Sequence, residues 1–206
     1  MTKQVVVLDY GSGNLRSAQR ALIRAGADVT VTDDLTVAAD ADGLVVPGVG
    51  AYAACMAGLR RLGAAAVIRQ RVADARPVLG ICVGAQVLFA AGNEHGTVTE
   101  GLGLLPGQVT RLAAPRVPHL GWNTVTAQST STLFAGLDPD SRFYFVHSYA
   151  ARPTPELAAV ATVSVTNHGG PFVAAVEQGA LAATQFHPEK SGDAGIFLLR
   201  TWVSTL

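Results

Sequence analysis

The sequence predicts an α/β fold, a mostly parallel sheet with helices on both faces and an antiparallel β extension. Three observations carry that prediction. Short apolar runs alternate with helical periodicity up to Gly92. The runs are continuously apolar rather than alternating, as strands buried on both faces are. Beyond Gly92 several β-rich segments follow, separated by glycine turns in the manner of hairpins.

In order, residues 4–8 form an apolar run ending at Asp9, the pattern of a first buried strand. Tyr10-Gly-Ser-Gly13 is a turn, and Asn14 caps a helix with Leu15, Ala18, Leu22 and Ile23 on one face. Gly26 ends that helix. Residues 28–32 and 43–46 read as the second and third strands, the latter followed by Pro47-Gly-Val-Gly50. Helical sequence covers 53–75, with Gly63 as a candidate break. Residues 78–81 are a short apolar strand, and 83–91 have the length and composition of a helix opening. Residues 101–107 are loop-like. Strands are expected at 108–112, 123–126, 143–150, 160–166, 171–177 and 180–185, with turns at His168-Gly-Gly170 and Gln178-Gly179. A helix over 194–204 closes the chain. No linker or repeat divides it, so one domain over 1–206 is expected.

Charged residues are 15% and hydrophobic ones 49%, against a usual ~25% charged. Much of the chain should therefore be buried or at an interface. The formal net charge of zero argues against nucleic acid as a principal partner, since phosphate neutralisation needs a basic excess. Two cysteines, Cys55 and Cys82, make no disulfide framework. The N-terminus runs directly into a strand without a signal-peptide pattern, and no apolar run reaches ~18 residues. A soluble cytoplasmic protein with no membrane partner is expected.

The chemistry centres on Gly80-Ile-Cys82-Val-Gly84. A residue at a sharp strand-to-helix turn projects out of the sheet, and flanking glycines let strand and helix approach closely around it. This is the G-x-S-x-G elbow with Cys in place of Ser. The first amides of a following helix and its dipole both favour a thiolate. A lone buried cysteine is more often structural, so the reading needs a base elsewhere. Gln185-Phe-His187-Pro-Glu189 supplies one. On an extended backbone His187 and Glu189 leave the same face, and Pro188 pushes His187 towards that conformation. Glu189 can then hold one ring nitrogen while the other faces Cys82, giving nucleophile, base and orienter. A surface pair or metal ligands are the bland alternatives. Zinc is disfavoured, because one His and one Cys without ligand spacing cannot build a site.

Acyl transfer also needs oxyanion donors. The amide of Val83 follows the nucleophile, and Val49 or Gly50 could supply a second. Gly48-x-Gly50-x-x-Ala53 formally matches a relaxed dinucleotide fingerprint, but it follows the third strand and lacks the acidic strand end.

These segments resemble the class I (triad) glutamine amidotransferases, a three-layer fold. Asp9-Tyr-Gly-Ser-Gly-Asn-Leu-Arg-Ser17, Val117-Pro-His-Leu-Gly-Trp-Asn123, Tyr144-Phe-Val-His-Ser-Tyr149 and Gln185-Phe-His-Pro-Glu-Lys-Ser191 narrow the resemblance to the glutaminase subunits of imidazole glycerol phosphate synthase. The resemblance implies that Cys82 attacks the side-chain amide of glutamine, that His187 protonates the departing ammonia, and that no cofactor is required. It assigns Gly50, Gln86, Glu94, Ser148 and Tyr149 to glutamine. Gln86 also lies one turn beyond Cys82 on the same helical face. Glu94 is either a solvated loop acid or the partner of the substrate ammonium. The implied partner is a (β/α)₈-barrel cyclase subunit that uses the ammonia in histidine biosynthesis. Asn14, Trp122, Asn123 and Lys190 match positions facing it, although Trp122 could equally be a core aromatic. The resemblance also implies weak activity without the partner, for which a misdirected Val49–Gly50 peptide is a plausible cause. Val83 and Ala85 replace larger residues, Cys55 reads as structural, and His95 as a loop residue. The rivals are the glutaminase of another synthase, such as the one making pyridoxal phosphate, and a catalytically silent subunit of the same fold.

Overall fold

The computed structural model describes residues 2–206. Strands and helices alternate first: β1 (Gln4–Leu8), α1 (Leu15–Arg24), β2 (Asp28–Thr32), α2 (Leu35–Asp40), β3 (Gly43–Gly48), α3 (Tyr52–Leu62), α4 (Ala64–Ala73) and β4 (Val78–Cys82). A one-turn helix α5 (Val83–Gln86) leads into β5 (Phe89–Glu94), β6 (Thr97–Glu100), β7 (Leu105–Arg111), β8 (His119–Thr124), β9 (Arg142–His147) and β10 (Tyr149–Ala151). Helix α6 (Pro155–Val160), β11 (Thr162–Asn167), β12 (Pro171–Gln178) and β13 (Leu181–Thr184) follow. A 3₁₀ turn over Pro188–Lys190 and α7 (Gly192–Ser204) complete the described chain.

The seven-stranded main sheet has the order β11-β12-β13-β4-β3-β1-β2. The five strands from β13 to β2 are parallel, while β12 and β11 are added by antiparallel hairpins. Val5 to Leu8, Leu44 to Val46 and Val78 to Ile81 are all buried, which is why these strands read as unbroken apolar runs. Strand β4 is central, between β3 and β13. Gly48 stands opposite Cys82, and Thr184 opposite Ile81. The carboxyl ends of three neighbouring parallel strands therefore meet at one place, where open α/β sheets bind their ligands.

Several local expectations are borne out. Gly63 separates α3 from α4 in a left-handed conformation, φ 79°. Gly26 follows α1 with φ 101°. The turns at 168–170 and 178–179 connect the two hairpins of the main sheet.

Others are corrected. Asn14 stands at the N-cap of α1, but its side chain makes no capping hydrogen bond. The helix expected over 83–91 stops at Gln86, and Phe89 onwards becomes strand, pairing with Leu105 and Gln108 of β7 and with β6. An apolar run of that length suits either state, and the open edge of β7 decides it. The antiparallel extension is in three parts: the hairpins of the main sheet, a four-stranded sheet β10-β7-β5-β6 and a two-stranded ribbon β8-β9. Within the four-stranded sheet β5 and β7 run parallel. Short helices α2 and α6 were not expected, although both carry start signals. Asp34 accepts from the Thr36 and Val37 amides, and Thr154 accepts from Leu157 ahead of a proline at the first turn.

Candidate active site

Cys82 ends β4 with φ 57° and ψ −115°, a positive φ that side-chain-bearing residues rarely adopt. Close backbone packing imposes it. A Cβ on Gly84 would land on the Val46 carbonyl, and one on Gly80 would lie 2.8 Å from the Cα of Ala85. The elbow therefore exists because both glycines lack side chains. Cys82 is buried and projects into a cleft of about 290 Å³.

His187 sits just past β13, where its amide donates to the Tyr144 carbonyl of β9 at 2.9 Å. Its Nδ1 is 2.7 Å from Glu189 Oε1, and the residue lines the same cleft as Cys82. The histidine is extended, φ −99° and ψ 96°, but Glu189 lies in the 3₁₀ turn that begins at Pro188. A tight turn, rather than a continued strand, brings the carboxylate under the ring. Both side chains are almost fully buried. Burial opposes charge on His187, yet the influence of the neighbouring Cys82 and Glu189 side chains outweighs that and raises its pKa to about 9. An imidazolium at neutral pH beside the sulfur is what a thiolate nucleophile and a general acid require.

The cleft gathers Val49, Gly50, Cys82, Val83, Gln86, Glu94, Ser148, Tyr149, His187 and Lys190 around one space, although they come from five separate stretches of sequence. Gln86 is buried, and its Nε2 donates to the Tyr149 carbonyl at 2.8 Å and to Gln185 Oε1 at 3.0 Å. Glu94 Oε2 accepts from the Tyr52 amide at 2.9 Å, so this acid holds the first turn of α3, immediately after the Gly50 loop. Gln185 Nε2 lies 3.9 Å from Cys82 Sγ.

The Val49 amide donates to Ser12 Oγ at 3.1 Å. Ser12 Oγ donates in turn to the Val49 carbonyl at 2.9 Å, and the Cys55 thiol reaches the same carbonyl at 3.4 Å. Both polar groups of Val49 thus face Ser12. The Tyr10 hydroxyl holds the preceding Pro47 carbonyl at 2.5 Å, and burial is the main cause that raises the pKa of the Cys55 thiol.

The partner-facing candidates spread over a wider surface. Trp122 is 52% exposed and packs edge-on against Tyr144 at 5.8 Å, so it is not a core aromatic. Asn123 donates to the Asn167 carbonyl at 3.1 Å. Lys190 reaches the cleft, while Asn14 lies at the start of α1. Sequence reasoning missed Ser12, Gln185 and His147, and took Cys55 as merely structural. Ser12 lies inside the quoted Asp9–Ser17 segment, and His147 inside Tyr144–Tyr149, so both were visible as residues without a role. His95, expected in a loop, lies in the β5–β6 turn with φ 51°, 6.0 Å edge-on from Tyr149. No group of three or more His, Cys, Asp or Glu among the described residues is placed to hold a metal ion.

A strand-to-helix elbow bearing a cysteine at the centre of this sheet, with a buried His–Glu pair in the same cleft, is the arrangement of an acyl-transfer enzyme. The family model described as glutamine amidotransferase class-I matches residues 6–203. Solved structures share the fold: one described as a glutamine amidotransferase has TM-score 0.76 at 22% identity, covering 98% of this chain and 99% of that one. PurLQS from Thermotoga maritima has TM-score 0.76 at 19% identity, covering 100% and 99%. Within the class, the relative called imidazole glycerol phosphate synthase subunit HisH from Mycolicibacterium paratuberculosis is 62% identical, over 100% of this chain and 99% of its own. The protein of that name from Thermobifida fusca is 60% identical over 100% of both chains. The chain belongs to the class I glutamine amidotransferases and, within them, to the HisH family.

Proposed function

We propose that this chain is the glutaminase subunit of an imidazole glycerol phosphate synthase, with Cys82, His187 and Glu189 as its triad. The observation that carries the reading is the buried His187–Glu189 pair sharing one cleft with Cys82, a cleft that also gathers Gly50, Gln86, Glu94, Ser148 and Tyr149. The Cys82 thiolate attacks the side-chain carbonyl carbon of glutamine. The oxyanion forms beside the Val83 amide at the start of α5. The imidazolium of His187 gives its proton to the leaving nitrogen as the C–N bond breaks, leaving a thioester and ammonia. His187, now neutral, takes a proton from water, which attacks the thioester; glutamate leaves and the thiolate returns. Glu189 steadies the imidazolium in both steps.

A second oxyanion donor comes from the Val49–Gly50 loop after it reorients. With the Val49 amide on Ser12, the loop is in a resting arrangement, which supports low activity until a partner engages. Ammonia in neutral water is mostly protonated and poorly nucleophilic, so delivery under cover to an acceptor subunit is chemically required. The exposed Leu120 and Trp122 on the β8–β9 ribbon, with Asn14, Asn123 and Lys190, form the proposed face for a (β/α)₈-barrel cyclase. There ammonia and the nucleotide yield imidazole glycerol phosphate and aminoimidazole carboxamide ribotide. No helix of the described residues is long and apolar enough to cross a membrane.

Glutamate release is the test, measured for the protein alone and then with a barrel cyclase and its nucleotide ligand, with Cys82→Ala as the blank. Activity that appears with the cyclase and vanishes with Cys82 is expected. Cys82-dependent activity indifferent to the cyclase would move the chain to another synthase, and none under either condition would leave a silent subunit.

A further inference from the structure

Beside the Ser148–Tyr149 wall of the cleft lie three histidines that the triad does not use, and one of them, His147, itself lines the cleft. His119 and His147 are buried and face each other across the β8–β9 ribbon, with His119 Nδ1 3.2 Å from His147 Nε2. His147 Nδ1 is 2.9 Å from the Tyr149 carbonyl, and Asn123 Nδ2 is 3.4 Å from His119 Nε2. His168 stacks on His119 at 4.4 Å, with Phe145 stacked on it at 4.8 Å, so this ring cannot tilt freely.

The ends of this line allow one direction of donation only. The Asn123 amide is oriented by backbone groups: its Oδ1 accepts from the Thr124 amide at 2.9 Å and its Nδ2 donates to the Asn167 carbonyl at 3.1 Å. It therefore presents an N–H to His119 Nε2, which must accept. A neutral His119 then carries its proton on Nδ1 and donates it to His147 Nε2. His147 in turn carries its proton on Nδ1 and donates to Tyr149. A carbonyl can only accept, so the far end independently demands the same direction. Burial supports the neutral forms, lowering the pKa of His119 to about 4 and of His147 to about 3.

Tyr149 thus receives two donors on one carbonyl, His147 from the ribbon and Gln86 from the turn after the nucleophile. Its peptide plane is held from both sides, and with it the backbone that carries Ser148 and Tyr149 into the cleft. We propose that His147 is a positioning residue for the glutamine-binding wall, and that Asn123 and His119 set its tautomer from the ribbon edge beside the exposed Leu120 and Trp122. This rests on the glutaminase reading of the cleft. The role falls on substrate capture rather than on bond breaking, because none of Asn123, His119 and His147 hydrogen-bonds Cys82, while His147 holds the Tyr149 carbonyl.

Two measurements test it. Nitrogen-15 NMR of the histidine rings in the intact protein at neutral pH should show His119 and His147 both neutral and protonated on Nδ1; protonation of His147 on Nε2 would overturn the proposal. Steady-state glutaminase kinetics of the assembled enzyme should show KM for glutamine raised about tenfold in His147→Leu, the effect of one buried hydrogen bond. The kcat should change by less than about threefold. His147→Asn, whose amide N–H occupies the place of Nδ1–H, should recover most of the loss. His119→Leu leaves His147 in place, with the Tyr149 carbonyl alone to set its tautomer, and should raise KM less. A purely structural role would lower kcat with the folded fraction and leave KM alone, and that result, or equal KM in His147→Leu and the parent, would overturn the inference. If His147→Leu does not fold, His119→Leu decides by the same KM criterion. Absence of Cys82-dependent activity in the parent would instead remove the glutaminase reading itself, and the proposal with it.

Discussion

The carboxyl ends of β4 and β3 lie side by side, with Gly48 opposite Cys82, yet they are held by different forces. At the end of β4, Cys82 is buried and its strained φ is imposed by backbone against backbone, since Gly80 and Gly84 have no room for a Cβ. At the end of β3, Val49 is 44% exposed, and hydrogen bonds to Ser12 and Cys55 hold it in place. A Cβ on Gly50 would meet nothing within 4 Å. Steric confinement in a close-packed interior has no low-energy alternative. Exchanging a few hydrogen bonds costs about 1 kcal/mol each. Cys82 is therefore built to stay, and the neighbouring loop is built so that it can turn.

The largest test of this contrast is chemical. Cys82→Ala should abolish partner-stimulated glutamate release, by about 10⁴-fold or more, while the fold persists. Residual activity above that would mean the elbow does not hold the nucleophile.

Next comes the rigidity of β4. Gly84→Ala puts a methyl group onto the Val46 carbonyl and should destabilise the protein by about 3 kcal/mol or more, read as a lower urea midpoint. A variant as stable as the parent would show that the elbow yields.

The triad itself should leave a signature in stability against pH. His187 is raised from 6.5 to about 9 in the folded protein, so folding takes up its proton. That contribution is complete below about pH 6.5 and is lost as pH rises through 9; it amounts to at most roughly 3 kcal/mol. Urea unfolding between these pH values should show the decline, and His187→Gln should flatten it. An unchanged slope in that variant would separate the ring from its two partners.

The smallest effects belong to the β3 loop. Gly50→Ala should cost only about 1–2 kcal/mol, through its φ of 89° and not through a clash. Ser12→Ala removes the group that holds the Val49 amide, and should raise partner-independent glutamate release about fivefold, the equivalent of ~1 kcal/mol. If Ser12→Ala is inert while Gly84→Ala is benign, the two strand ends do not differ as described.

The legibility of the two regions follows from the same physics. The elbow is a local device, so Gly80-Ile-Cys82-Val-Gly84 announces it within five residues. The β3 loop was visible as Pro-Gly-Val-Gly, but its hold on Ser12 spans 37 residues of sequence and left no local mark. For the same reason Cys55 read as an inert helical cysteine. The first three residues of strand β5 were read as helix because apolar residues suit both states, and only pairing with β7 selects one.

By itself the sequence determined the alternation of strands and helices, the sharp turn at Cys82 and the glycines that shape it. Those are consequences of hydrophobic periodicity and of backbone sterics, which act between near neighbours. The tertiary structure alone decided where the Val49 amide points, how Glu94 secures α3, and how Asn123, His119 and His147 meet at the Tyr149 carbonyl. Hydrogen bonds across the fold are specified by the geometry of groups distant in sequence, and that geometry exists only once the sheets have packed.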